Sequence, residues 1–324
     1  MRTKFSYLSL PTTTTTSTAN NNKGCTIQIN ETGTSLKLKP GLIVGGTITH
    51  DCGKTKCIGW FIEGILPLII YGKTATRVEF TGVTNDAVDL SVDTLKNATL
   101  PLLGHFGIHG VDIKVKRRGA APNGGGIVEF NCPIMREINA INFIEMGLIK
   151  RVRGVAFCAR ISPTIVSRVV ESARGVLNNF LPDVYINTDH YRGSDGGASA
   201  GYSLCLFAES TSGVILTAER TSSPGELPED VGQEGAYLLL DEIKRGGAVD
   251  SSHQSLMLQL MIMGPEDVCK VRFGDTITDQ ATEILRIIHS AFGLTFKIKE
   301  DEQTRTVLLS CLGLGLKNVA RKIR

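Results

Sequence analysis

Hydrophobic and polar positions change period several times along this chain, and each change predicts an element. Val111, Ile113 and Val115 alternate with Asp112, Lys114 and Lys116, the period-two pattern of a half-buried strand. A turn built on Gly124-Gly125-Gly126 follows, and Ile127–Phe130 resumes an apolar run, so a hairpin is expected. Upstream, Thr26–Asn30 and Ser35–Leu38 predict a hairpin around Glu31-Thr32-Gly33-Thr34. The apolar run Gly59–Tyr71 predicts a buried helix, Arg77–Thr81 a strand, and Asp89–Gly104 a further helix.

Near residue 150 the texture changes. Val155–Ile161 reads as a strand, and Ser162-Pro163 supplies an N-cap and a first-turn proline. Ile165, Val166, Val169, Ala173, Val176, Leu177 and Phe180 form a helical stripe that Pro182 ends. Strands Val184–Asn187, Tyr202–Ala208 and Val214–Glu219 follow, with a Gly/Ser-rich loop at Arg192–Gly201, and the run reads as a separate small domain. Helices are predicted from Leu227 to Ile243, Ser251 to Met263 and Thr278 to Phe292, then strands at Leu294–Lys299 and Val307–Cys311. In the Thr278 helix Ala281, Ile284, Leu285, Ile288 and Phe292 form the buried stripe, leaving Glu283 and Arg286 on the polar side. Strands followed by helices predict a layered α/β or α+β architecture. Residues 11–22, nearly all Thr and Asn, lack apolar side chains to bury, and residues 1–23 are expected to be disordered.

Composition sharpens this picture in two respects. With 324 residues, 42% hydrophobic and 21% charged, a sizeable core is available. A net charge of +3, from 35 basic and 32 acidic residues, leaves any nucleic-acid affinity to local clusters. Three clusters qualify: Lys114–Arg118, Lys150-Arg151-Val152-Arg153, and the tail with Lys317, Arg321, Lys322 and Arg324. The eight cysteines are scattered, mostly among apolar neighbours, as suits reduced thiols in an intracellular protein. No apolar run is long enough for a membrane span and no secretory signal opens the chain, so no membrane partner is expected.

Candidate chemistry centres on the basic hairpin. Lys114, Lys116, Arg117 and Arg118, followed by the backbone of Gly124, Gly125 and Gly126, offer cations plus exposed N–H groups, which is the make-up of an anion site. Glycine turns also join strands with no ligand present, and a basic strand edge also discourages edge-to-edge pairing. The spacing is not that of a Walker loop. His50, Cys52 and Cys57 resemble half a metal site with no second pair, so neither metal nor cofactor is expected. Asp189-His190 and Ser251-Ser252-His253 supply catalytic residue types outside any nucleophile elbow, with His190 expected in a loop, and no catalytic residue is assigned.

The stretch Arg117-Arg118-Gly119-Ala120-Ala121-Pro122-Asn123-Gly124-Gly125-Gly126 resembles the Arg-x-Gly-x-x-Pro-x-Gly-Gly-Gly hallmark of the RNA 3′-terminal phosphate cyclases. Further matches, in order, are Pro40–Gly46, Thr81–Asp86, Leu100–Leu103 with Phe106-Gly107-Ile108, and Arg153–Ala156. Within the family, Gly82–Asp89, Pro182–His190, Leu227–Asp230 and Gly246–Leu256 are most similar to a cyclase-like branch serving eukaryotic ribosome biogenesis. The resemblance implies an α+β fold of repeated sheet-plus-parallel-helix units, interrupted by a small α/β domain. Its expected divisions are a first core part at 24–148, the insertion at 149–235 and a last core part at 236–324.

It further implies a nucleolar protein of the small-subunit processome that meets pre-rRNA, a large GTPase and other processome proteins. Two departures qualify it. Cyclases carry a histidine before their last long helix that becomes adenylylated, whereas Arg272–Asp279 contains none. Their Asp-Gln pair at a helix start reads His253-Gln254 here, so Gln254 alone is retained as a site candidate. Without a nucleophile there is no covalent route for nucleotidyl transfer, and no cyclase activity is expected. The family's opening strand, helix and basic segment are expected to be missing, the Thr-rich stretch standing in their place. The first reading is therefore an RNA-binding assembly factor using the basic hairpin, with Arg286 as a weaker addition. The alternative is an active RNA-end-processing enzyme, a cyclase or an endonuclease.

Overall fold

A computed structural model describes residues 26–39 and 41–319. The threonine-rich segment expected to be disordered, Cys25, and Arg321, Lys322 and Arg324 of the basic tail lie outside these residues.

The described residues form an N-terminal hairpin and three four-stranded sheets. The hairpin pairs β1 (Thr26–Ile29) with β2 (Leu36–Lys39). The first unit runs β3 (Gly46–Asp51), α1 (Ile58–Ile69), β4 (Thr76–Gly82), a helical segment, then β5 (Asp112–Arg117) and β6 (Gly126–Cys132). Its helical segment has three parts: α2 (Val92–Thr94), a π-helical turn at Leu95–Thr99, and α3 (Leu100–His105). Strand order is β3-β4-β6-β5, with β3 and β4 parallel across the α1 crossover and the other pairs antiparallel. Packing is close where α1 passes the chain: a Cβ on Gly59 would lie 1.8 Å from the Leu90 carbonyl oxygen.

The last unit repeats this plan. It comprises β7 (Asn142–Phe143), α6 (Gln254–Met263), β12 (Val268–Phe273), α7 (Asp279–Phe292), β13 (Lys297–Asp301) and β14 (Thr306–Leu312). Its order β7-β12-β14-β13 has the same parallel first pair and antiparallel remainder as the first unit. Between β7 and α6 lies an inserted unit: β8 (Ile149–Ala159), α4 (Pro163–Leu177), β9 (Val184–Tyr191), β10 (Gly201–Ser210), β11 (Ile215–Thr221) and α5 (Pro228–Arg245). Helices α4 and α5 pack together and lie on the inserted sheet, α4 on β8 and β9, α5 on β10 and β11. α5 is continuous through residue 235, so no break in the chain falls at the expected end of the insertion.

The amphipathic patterns set these elements. Ser162 caps α4 by accepting from Thr164 N, and Val166, Val169, Ala173 and Leu177 are its buried stripe. Thr278 caps α7 in the same way, accepting from Ala281 N. β10 is buried on both faces because Cys205 and Phe207 meet Ala98 of the first unit on the side away from the helices.

Three strands were outside the sequence reading: β3, β7 and β12. β3 carries one aliphatic side chain, Ile48, in six residues, and β7 has two residues in all. β12 alternates buried Cys269, Val271 and Phe273 with Lys270 and Arg272, the period-two pattern of a strand with one face in the core.

Candidate nucleic-acid interface

The basic hairpin forms as expected, and its cations divide by strand parity. Ile113 and Val115 face the core, while Asp112, Lys114 and Lys116 lie on the outer face of the sheet. A register shift between Val115 and Arg117 then turns the end of the strand.

Arg118 is the principal correction to the sequence reading. Its side chain is 3% exposed, and both of its Nη atoms are held by protein partners. Nη1 and Nη2 donate to Asp93 Oδ2 at 2.6 Å and Oδ1 at 2.7 Å, a bidentate pair. Nη2 also donates to Asp189 Oδ2 at 3.0 Å, and the guanidinium lies over Phe157 with 4.9 Å to the ring centroid. Burial alone would lower its pKa, but Asp93 and Asp189 more than offset this and hold the charge in place. Asp93 belongs to the first unit, and Asp189 and Phe157 to the inserted one. Arg118 thus joins two units through buried ion pairs.

The glycine turn does the same with backbone. Gly124 has φ +63°, and its carbonyl accepts from Ala198 N at 2.9 Å. Opposite it, Gly197 has φ +67°, and a Cβ there would sit 2.5 Å from Gly124 O and 2.6 Å from Arg118 O. Gly125 O accepts from Arg117 Nε at 2.6 Å, and Gly126 pairs with Gly82 in the ladder. Asn123 N donates to Ser199 Oγ at 3.0 Å. The expected anion cradle is a docking turn, filled by the Gly197–Ser199 segment.

Lys116 is also engaged. Its Nζ lies 2.7 Å from Glu79 Oε2 and 2.9 Å from Glu129 Oε2. Arg77 adds a second cation to Glu129 at 2.7 Å. Hydrogen bonds from Lys116, Arg77 and Asn131 hold the Glu129 carboxyl down to about 2. Lys114 is exposed and forms no ion pair with another described residue. Gln254 is buried, its side chain donating to Thr276 O at 2.9 Å and accepting from Thr278 N at 2.8 Å. It closes the loop ahead of α7 and is no surface ligand. Arg286 is exposed on α7 in the last unit, on a different sheet layer from the hairpin.

A second buried cluster was missed. Asp250 Oδ1 accepts from His253 Nδ1 at 2.5 Å, and His253 Nε2 lies 2.8 Å from Thr99 Oγ1. Asp250 Oδ2 accepts from Thr217 N at 3.0 Å and from the Thr217 hydroxyl. Burial pulls the His253 pKa down, but Asp250 outweighs it and the net shift is upward. The four residues come from the π-helical turn, β11 and the approach to α6, so they pin all three units at one point. Asp250 and His253 line a small cavity with Pro101, His105 and Phe143. Beside them, Glu219 accepts from Ser91 N at 3.2 Å while burial raises its pKa. The Asp250-x-x-His253 spacing in the sequence was the available signal.

His190, expected in a loop, lies in β9. Among the described residues no group of three His, Cys, Asp or Glu side chains is placed to hold a metal, and no helix is long and apolar enough to cross a membrane. Cys52 and Cys57 are buried free thiols whose pKa values burial pushes up.

Two repeated βαβαββ sheets, the interrupting unit and the Arg-Gly-Gly-Gly hairpin together define a class, and residues 13–298 match the family described as RNA 3′-terminal phosphate cyclase. This chain belongs to that family. It is 45% identical over 315 residues to a probable RNA 3′-terminal phosphate cyclase-like protein of Dictyostelium discoideum, covering 92% of this chain and 85% of the relative. It is 45% identical over 314 residues to the RNA 3′-terminal phosphate cyclase-like protein of Homo sapiens, covering 93% and 84%. It is also 43% identical over 305 residues to the rRNA processing protein rcl1 of Schizosaccharomyces pombe, covering 93% and 84%.

Proposed function

We propose that this protein acts in ribosome biogenesis, in the processing of ribosomal RNA, as a binding component without cyclase chemistry. The observation that carries this reading is its similarity, over 93% of the chain, to a protein named for rRNA processing. The loop ahead of α7 supports the second half of the proposal. Residues 272–279 contain no histidine, and Gln254 occupies the space behind them with both ends of its carboxamide bonded to backbone. A transferable AMP would find no imidazole there to accept it.

On this reading the protein works on the small-subunit precursor within the processome, in the nucleolus, with pre-rRNA, a large GTPase and other processome proteins as partners. Lys114 and the part-exposed Arg117 are the hairpin cations without an ion pair to another described residue, and Arg286 is exposed on α7. Incubation of the full chain with labelled ATP is expected to leave no protein–AMP adduct. Depletion in cells is expected to accumulate unprocessed 18S precursor. A stable adduct would establish the enzyme alternative, and normal precursor processing after depletion would remove the assembly role.

A further inference from the structure

We propose that the outer face of the last unit's sheet binds the phosphate backbone of RNA through Lys270, Lys297 and Lys299. Cys269, Val271 and Phe273 are the buried side of β12, which places Lys270 and Arg272 on the outer side. The register carries this parity across the sheet. Lys270 pairs with Ser310, and Ser310 pairs with Lys297, so a lysine stands on each side of one hydroxyl. In the next row Arg272 and Lys299 flank Leu308 in the same way. Strands lie about 4.8 Å apart, so the two lysines beside Ser310 have Cα atoms about 10 Å apart.

All three lysines are exposed and form no ion pair with another described residue. Arg272 is held by Asp301 at 2.9 Å, and Asp301 is the one carboxylate on this face within the strands. The first unit provides an internal comparison, because its sheet has the same plan. There Asp51, Glu79, Asp112 and Glu129 share the outer face with Arg77, Lys114 and Lys116, and the hairpin charge is largely neutralised. The last unit keeps the cations without those acids.

The chemistry favours RNA backbone over other anions. Ammonium groups act as unoriented point charges suited to phosphate, and the Ser310 hydroxyl adds a phosphate donor. The outer positions Val268, Lys270, Arg272, Leu308, Ser310 and Leu312 include no aromatic ring on which a base would stack. Binding here is therefore electrostatic and tolerant of sequence. The inference rests on the reading that this protein meets ribosomal RNA.

The test measures binding of the full chain to a labelled single-stranded RNA between about 50 and 200 mM salt, against a Lys270→Ala/Lys297→Ala/Lys299→Ala variant. Each phosphate contact contributes about 0.7 to the log–log salt slope, so the triple variant is expected to lose about 2 from that slope. A Lys→Arg triple is expected to keep it. Thermal melting should not distinguish the three proteins, since the side chains are exposed. Equal slopes for wild type and the alanine variant overturn the proposal while leaving the rRNA reading intact. Loss of binding to polyglutamate with RNA binding unchanged also overturns it, pointing to an acidic protein partner. Failure of the wild type to bind RNA at all removes both readings.

Discussion

Arg118 shows how a residue's neighbours decide its work. Its charge suggested an RNA contact, but Asp93 stands 25 residues before it and Asp189 71 residues after it. That separation kept the pairing out of the sequence, whereas the alternation that places Lys114 outward was plain in Val111, Ile113 and Val115. Removing one member of a buried ion pair leaves the other charge uncompensated. Arg118→Ala is therefore expected to destabilise the fold by about 3–5 kcal/mol in urea unfolding, with the salt slope of RNA binding unchanged. Gly197→Ala is expected to cost about 1–3 kcal/mol, since its Cβ would overlap the Gly124 and Arg118 carbonyls. Glu129 gives a pH signature. Its carboxyl is held down from 4.5 to about 2, so its contribution is present above 4.5 and is lost as pH falls through that interval. Acid unfolding of Glu129→Gln should be flatter than wild type between those values.

At the scale of elements, the segment from Asn85 to Thr99 carries more inter-unit bonding than its length suggests. Asn85 donates to Ser203, the Ser91 backbone N donates to Glu219, and Thr99 meets His253. The π-helical turn Leu95–Thr99 widens the helix where Ala98 must reach the inserted sheet and Thr99 the last unit. A helix near 89–104 was legible from its apolar residues, but the π turn was not, because it answers to partners in two other units. His253→Ala leaves Asp250 buried with Thr217 as its remaining side-chain partner and is expected to cost about 3–5 kcal/mol. Hydrogen exchange should then quicken together in Leu95–Thr99 and in β11. Quickening confined to α6 would show that His253 supports only its own helix.

For the molecule as a whole, the two sheets of like plan and the interrupting unit share one continuous hydrophobic core. The texture of the sequence changes near residue 150, and β8 begins at Ile149. The surface on which the inserted unit rests was hidden, because Cys205 and Phe207 read as ordinary strand residues. A fragment covering residues 149–245 would leave that face bare, and it is expected to be poorly soluble beside the full chain, as measured by the fraction recovered after centrifugation. The placement of that unit between β7 and α6 also orders events in time. Asn142 finds its strand partner at Lys270, so the last sheet waits until the entire insertion has been synthesised. The first unit, complete by Cys132, has no such delay and offers a folded platform to the emerging chain. A ribosome stalled within the insertion would therefore display a finished first sheet and an unpaired β7.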